Sequence, residues 1–236
     1  MTKINNAFSL VEMSVVLIII GILVASATAA GKMIANSKLR KVVQKFEQYN
    51  AATNSFYGVY GKLPGDLDIA SKYWTSCVTV GSNPCDGDGD NVLDRGYEDL
   101  RFWHHLTLSK ILPGNYPGSN ASGDADENRA GENVPASIFQ GGCYTARSVA
   151  EGFGKAYNAG ILIGKEQSGS ICKNAIFLAK EAEFIDFKLD NGIPNTGKIM
   201  SRHGYDMTSG ECASSGAYNT TETEVKCYTA YVLEIN

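Results

Sequence analysis

Hydrophobic and polar positions divide the chain into three regimes. Residues 13–31 read MSVVLIIIGILVASATAAG, without a single charge. As a helix this run rises about 28 Å, close to the thickness of a bilayer's hydrocarbon core, and it predicts a membrane-spanning segment. Beyond it, apolar and half-apolar positions recur three and four apart, at Leu39, Val42, Val43, Phe46, Tyr49, Thr53, Phe56, Tyr57 and Tyr60, with Lys41, Lys45, Glu47 and Gln48 between them. That period predicts an amphipathic helix with one buried stripe. No proline interrupts residues 1–63, so both stretches are expected to form one helix from about Phe8 to about Tyr60, ended by Gly58, Gly61 and Pro64.

The third regime, residues 61–236, is expected to be a globular head. Residues 65–170 are rich in Gly, Asn, Asp and Ser and read as loops with short helices. The clearest helix covers 98–112, with Glu98 and Asp99 at its start and Pro113-Gly114 as its stop. A second is expected at 179–189, and strands near 161–163, 198–202 and 225–235. The fold class is therefore α+β: a long N-terminal helix and a loop-rich head with a small antiparallel sheet.

Charge sharpens this division. Residues 1–60 hold six Lys or Arg and two Glu, a net +4, which leaves −8 on the remainder of a 236-residue chain whose total is −4. An acidic head argues against nucleic acid as its partner, because a nucleic-acid surface needs concentrated cations. The basic cluster Lys32, Lys38, Arg40, Lys41 and Lys45 directly follows the apolar run, a place suited to lipid headgroups.

Glu12 stands one residue before the uncharged run, where an ionisable group needs a partner and is by default a functional candidate. The segment AFSLVEMSVVLIIIGILVA resembles the N-terminus of type IV prepilins and type II secretion pseudopilins. In that family a membrane-bound prepilin peptidase removes a short leader, the new N-terminus is methylated, and the glutamate at its fifth position helps subunits join. Carried over, the resemblance implies a leader of residues 1–7, cleavage between Ala7 and Phe8, and Glu12 as the assembly glutamate. The family usually has Gly before the cut; Ala7 keeps a small residue there. The implied domains are the leader, an assembly helix over 8–31, its amphipathic continuation over 32–60, and a pilin-like head. Residues 185–199, IDFKLDNGIPNTGKI, also resemble the region before the C-terminal strand of many pseudopilin-like heads.

The pairing chemistry can be stated without the family. Cleavage before Phe8 exposes an α-amino cation, which in an apolar filament core can neutralise the Glu12 carboxylate of a neighbouring subunit. The count of Lys and Arg on each side of the span points the other way from the expected topology, with more cations after it than before it. The cysteines need an oxidising compartment, and the resemblance implies a cytoplasmic N-terminus. The expected location is therefore the bacterial inner membrane, single-pass, with a periplasmic head that enters a periplasmic or extracellular filament.

Six cysteines lie in the head and none in the apolar segment, the usage of an exported protein. Of the many pairings possible, the one in chain order is favoured, Cys77 with Cys85, Cys143 with Cys172 and Cys212 with Cys227, because each bridge would pin a local Gly-rich loop. Zinc is disfavoured, since no CxxC occurs and the three histidines are not spaced with the cysteines. The run CDGDGDNVLDRGYEDL suggests calcium instead. Calcium loops place oxygens at the first, third, fifth and ninth positions and a backbone carbonyl at the seventh. Counting from Asp86 gives Asp88, Asp90, the Val92 carbonyl and Asp94. Asn91 stands where such loops carry Gly, Tyr97 occupies the twelfth place, and Glu98 falls one position late. A solvated acidic turn is the competing reading.

Nucleophile, zincin and phosphate-loop motifs are absent from the sequence: no GxSxG, no HExxH and no GxxxxGK[ST]. The adjacent His104 and His105 cannot form the paired ligands that helical i, i+4 spacing gives. An enzyme is not expected. Two function classes remain. One is a structural subunit of a type IV pilus or type II secretion pseudopilus, whose partners are copies of itself or other pilins, the prepilin peptidase and an inner-membrane assembly platform. The other is a membrane-anchored, calcium-dependent extracytoplasmic binding module that never polymerises.

Overall fold

The computed structural model describes residues 9–77, 85–119, 127–149, 153 and 157–235. They fall into two compact units that part between Leu39 and Arg40. Helix α1, Leu10–Tyr60, runs through both. From Leu10 at 91% through Ile22 at 61% to Ile34 at 60%, its large apolar side chains are exposed. It is the one helix among the described residues long and apolar enough to cross a membrane.

In the second unit, α1 turns its stripe inward. Val42, Phe46, Tyr49, Thr53 and Phe56 are buried, spaced alternately four and three apart as one face of a helix requires. Phe46 stacks on Tyr231 at 5.4 Å between ring centroids, and Tyr49 meets Trp103 edge-on at 4.9 Å. The buried Thr53 hydroxyl donates to the Tyr49 carbonyl at 2.8 Å, so its burial costs no unpaired group. Asn50 and Asn54, one turn apart, hold the chain's last described stretch. The Asn54 amide donates to the Glu234 carbonyl at 2.6 Å, and the Glu234 N–H donates to Asn50 at 3.0 Å.

After α1 come the short α2, Ala70–Tyr73, and α3, Glu98–Leu108. The latter ends four residues before its expected limit, where Lys110 adopts φ +60°. The strands are β1 (Gly142–Val149), β2 (Tyr157–Gln167), β3 (Ser170–Asn174) and β4 (Phe177–Leu178), then helix α4 (Ala179–Leu189), and β5 (Ile199–His203), β6 (Ala213–Ser214), β7 (Ala217–Tyr218) and β8 (Val225–Val232). β1, β2, β8 and β5 pair antiparallel in that order, β3 joins β2, β4 joins β8, and β6–β7 is a separate hairpin.

The architecture is α+β, as the pattern implied, but β1 corrects the reading of 65–170 as loops and helices. GCYTARSV shows no alternation because residues 142–146 are buried whichever way they point, and period two is visible only where one face is wet. Three disulfides tie the head, Cys77–Cys85, Cys143–Cys172 and Cys212–Cys227. The second crosses from β1 to β3 over β2, where Gly164 lies opposite Cys143. A Cβ on Gly164 would sit 2.5 Å from the Cys172 carbonyl oxygen, so only glycine permits this approach.

Candidate functional site

Two places are candidates for functional chemistry, one in each unit. At the N-terminal end, Ala7 and Phe8 lie outside the described residues, and Glu12 is exposed in the first turn of α1. Its side chain is engaged within its own chain. Glu12 Oε2 accepts the Ser9 N–H at 2.8 Å, and Ser9 Oγ accepts the Glu12 N–H at 3.2 Å. This reciprocal pair is a capping box, satisfying donors that a helix start leaves without partners. The signal was legible as Ser9-x-x-Glu12, although the sequence reading assigned Glu12 only an intersubunit role.

The second place is the acidic loop before α3. Asp66, Asp88 and Asp90 bring carboxylate oxygens within 4.8 Å of one another. Asp88 Oδ1 accepts the Asp90 N–H at 3.1 Å, and Asp90 Oδ1 accepts the Val92 N–H at 2.8 Å, so each aspartate braces the backbone two residues on. Asn91 takes φ +67°, supplying the left-handed turn for which calcium loops use glycine. Asp66 is fully buried. Its Oδ2 accepts the Asn91 N–H at 2.9 Å, while its Oδ1 has no hydrogen-bond partner among the described residues. A buried carboxylate oxygen in that condition is costly unless a cation meets it.

This set differs from the one counted along the sequence. Asp86 is turned away, its two oxygens accepting the Ser71 N–H at 2.7 Å and the Ser71 hydroxyl at 2.8 Å. It caps the start of α2, which has no side-chain cap of its own residue. Glu98 is also occupied, its two oxygens accepting the N–H groups of Asp88 at 3.1 Å and Asp94 at 2.8 Å. It closes the loop from behind. Asp94 contributes that N–H and keeps an exposed side chain, and the Val92 N–H is the group engaged at Val92. Asp66 was missed because it lies just past the end of α1, more than twenty positions upstream, with no periodicity to link it to the loop. Gly87 makes the meeting possible: a Cβ there would lie 2.5 Å from the Asp66 backbone.

The electrostatics are strained toward neutrality. Burial pushes the Asp66 carboxyl up to about 6, against the lowering effect of the Asn91 and Gly89 N–H groups and Lys62, and Asp90 adds to the rise. Burial likewise pushes Glu98 up to about 7, with two N–H groups opposing and Asp66 and Asp88 reinforcing. Lys62 donates to the Gly89 carbonyl beside this cluster, one ammonium among several carboxylates. A second grouping, Cys77, Cys85 and His105, offers no thiolate because the two cysteines are bridged.

Residues 2–28 match the model of the prokaryotic N-terminal methylation motif, the prepilin-type cleavage signal of type IV pilins and pseudopilins. No characterised protein and no solved structure matches the chain significantly. The chain thus carries the N-terminal signal of a pilin-like or pseudopilin precursor, on a helix long and apolar enough to cross a membrane.

Proposed function

We propose that the protein is a subunit of a type IV pilus or type II secretion pseudopilus, cleaved between Ala7 and Phe8 by a prepilin peptidase and drawn from the inner membrane into a helical filament through α1. The observation that carries this reading is the methylation motif at residues 2–28 on a helix whose apolar side chains from Leu10 to Val24 have no intramolecular cover. Lipid covers such a surface before assembly, and the helices of other subunits cover it afterwards. Partners of this kind are copies of the same chain or other pilins, with an inner-membrane platform to drive exchange. The head, closed by disulfides, belongs on the periplasmic side. Mass spectrometry of the native protein tests the reading. A chain beginning at a methylated Phe8 and recovered with sheared filaments supports it, whereas an intact Met1 confined to membranes leaves the anchored binding module.

For the head we propose a calcium ion held by Asp66, Asp88 and Asp90. Hard carboxylate oxygens suit this ion, and the buried, unpartnered Asp66 Oδ1 is the observation in its favour. Bound there, the ion would tie the end of α1 to the loop that starts α3. A ligand binding only the folded state stabilises it by about 2.7 kcal/mol at a hundredfold excess over Kd. Calcium is therefore expected to raise the melting temperature and a chelator to lower it. Asp66→Asn should abolish that response and Asp86→Asn should keep it, and Lys62→Gln should tighten binding by removing a competing cation. A melting curve indifferent to calcium removes the ion from the proposal.

A further inference from the structure

The loop between α4 and β5 holds the one Asn-Gly pair in the sequence, Asn191-Gly192. Asn191 is exposed, and Gly192 takes φ +76°. The loop is braced from within. The Asp190 carboxylate accepts the N–H groups of Lys198 and, at 3.3 Å, of Ile199, and the Thr196 N–H donates to the Ile193 carbonyl at 3.2 Å. Inside that frame three hydrogen bonds converge on the pair. The Gly192 N–H donates to Asp186 Oδ1 at 3.0 Å, the Ile193 N–H donates to Asn191 Oδ1 at 2.8 Å, and Asn191 Nδ2 donates to Thr196 Oγ1 at 2.9 Å.

Each partner fits one step of a reaction the loop can carry out on itself. The Gly192 nitrogen is a nucleophile joined to the residue that holds the electrophile, the Asn191 side-chain carbonyl carbon, so attack is intramolecular and needs no encounter. Asp186 is buried on α4, and both its oxygens accept, Oδ1 from Gly192 and Oδ2 from the Tyr218 hydroxyl at 2.7 Å. A side chain accepting at both oxygens is a carboxylate, and this one lies at the proton a general base must remove. The Ile193 N–H faces the oxygen that gains negative charge on attack, the place of an oxyanion donor. The Thr196 hydroxyl faces the amide nitrogen that must leave. All three interactions strengthen as charge develops, so they favour the transition state over the resting amide.

We propose that Asn191 is a site of self-modification, in which Asp186 drives closure of a succinimide with Gly192 and hydrolysis then leaves an acid at position 191. The Gly192 nitrogen forms a bond to Asn191 Cγ and gives its proton to Asp186, which passes it to solvent. The Cγ–Nδ2 bond breaks, and ammonia leaves with a proton that the Thr196 hydroxyl supplies and solvent restores. Water then adds to either carbonyl of the ring and opens it to an aspartyl or an isoaspartyl residue, with no change of oxidation state. The product carries an added negative charge, and the isoaspartyl form lengthens the main chain by a methylene, close in sequence to the exposed Phe187 and Ile193. The surface of the head therefore changes with time after folding, whether or not the chain enters a filament.

The experiment ages the full chain in detergent micelles at neutral pH beside a second portion that is reduced and held in guanidinium chloride. Mass spectrometry follows the tryptic peptide 189–198, which Lys188 and Lys198 delimit. Asn191 should convert to acid faster in the folded protein than in the denatured one, where the same Asn-Gly pair lacks Asp186. Asp186→Asn should slow the folded reaction about a hundredfold, the lower end of what a placed general base contributes. That variant also disturbs the contact with Tyr218, so Tyr218→Phe is its control. It breaks the same buried hydrogen bond and keeps the base, and conversion should be at least as fast as in the unaltered chain. If Asp186→Asn fails to fold, the comparison of folded with denatured chain decides alone. Conversion no faster in the folded chain than in the denatured one, an unchanged rate in folded Asp186→Asn, or equal slowing by Tyr218→Phe would overturn the proposal. Filament assembly plays no part in this readout, so the result stands apart from the fate of α1.

Discussion

Glu12 has two partners to choose between. In the single chain its carboxylate closes a capping box with Ser9, and in an assembled filament the same carboxylate would face a neighbour's N-terminal amine. The two roles separate by mutation. Ser9→Ala and Glu12→Ala both open the cap, but only the second removes the charge. We expect Glu12→Ala to vanish from sheared filaments, scored by immunoblot, while Ser9→Ala is still incorporated; the head should melt normally in both, because Glu12 lies outside the unit that begins at Arg40. His105 is the other telling residue. It is fully buried, with Nδ1 accepting the Gly65 N–H at 2.9 Å and Nε2 facing the Cys85 carbonyl at 3.0 Å. Those partners fix the neutral tautomer with the proton on Nε2, and burial holds its pKa down at about 3. A group whose pKa falls on folding gives stability that is complete above its unfolded value, near 6.5, and is lost as pH drops toward 3. Denaturant melts should show a loss of up to about 1.4 kcal/mol per pH unit in that window. His105→Phe should flatten this slope and cost roughly 2–6 kcal/mol at neutral pH, since two buried backbone groups lose their partners.

Among the elements, α1 and α4 announced themselves through one buried face, and α3, buried almost throughout, through its acidic start and its Pro113-Gly114 stop. α4 occupies 179–189 as its pattern suggested, with Ala182, Ile185 and Asp186 inward. The stripe of α1 over residues 42–56 is inward too. β1 was hidden because it is covered on both sides, and the meeting of Asp66 with Asp88 and Asp90 was hidden because no local rule relates positions so far apart. The bridge between β1 and β3 also belongs to this scale. It closes a span of 29 residues, worth roughly 3.5 kcal/mol in the chain-entropy account. Replacing Cys143 and Cys172 together by Ala should lower the urea midpoint, with a larger slope because the unbridged denatured chain is less compact. Replacing Gly164 by Ala should be comparably damaging with the bridge intact, because the Cys172 backbone cannot retreat from the added methyl.

At the scale of the whole molecule the chain separates two solvents. Residues 1–60 carry net +4 and a bare apolar helix, and the head carries −8. The sequence determined that division by itself, because nineteen uncharged residues and a prepilin-type motif are contiguous and need no partner to be read. It also determined the α+β class, since helix periods, strand-forming runs and turn residues are local properties of the chain. The tertiary structure alone decided which acids stand together and which are spent on capping, where Asp86 and Glu98 satisfy N–H groups and Asp66 takes a place in the cluster. It alone set Tyr218 of β7 and Gly192 against the Asp186 carboxylate of α4. The physical reason is the same in each case. Burial patterns repeat within a few residues, whereas electrostatic neighbours are set by how distant segments cross, and that crossing exists only once the sheet has formed.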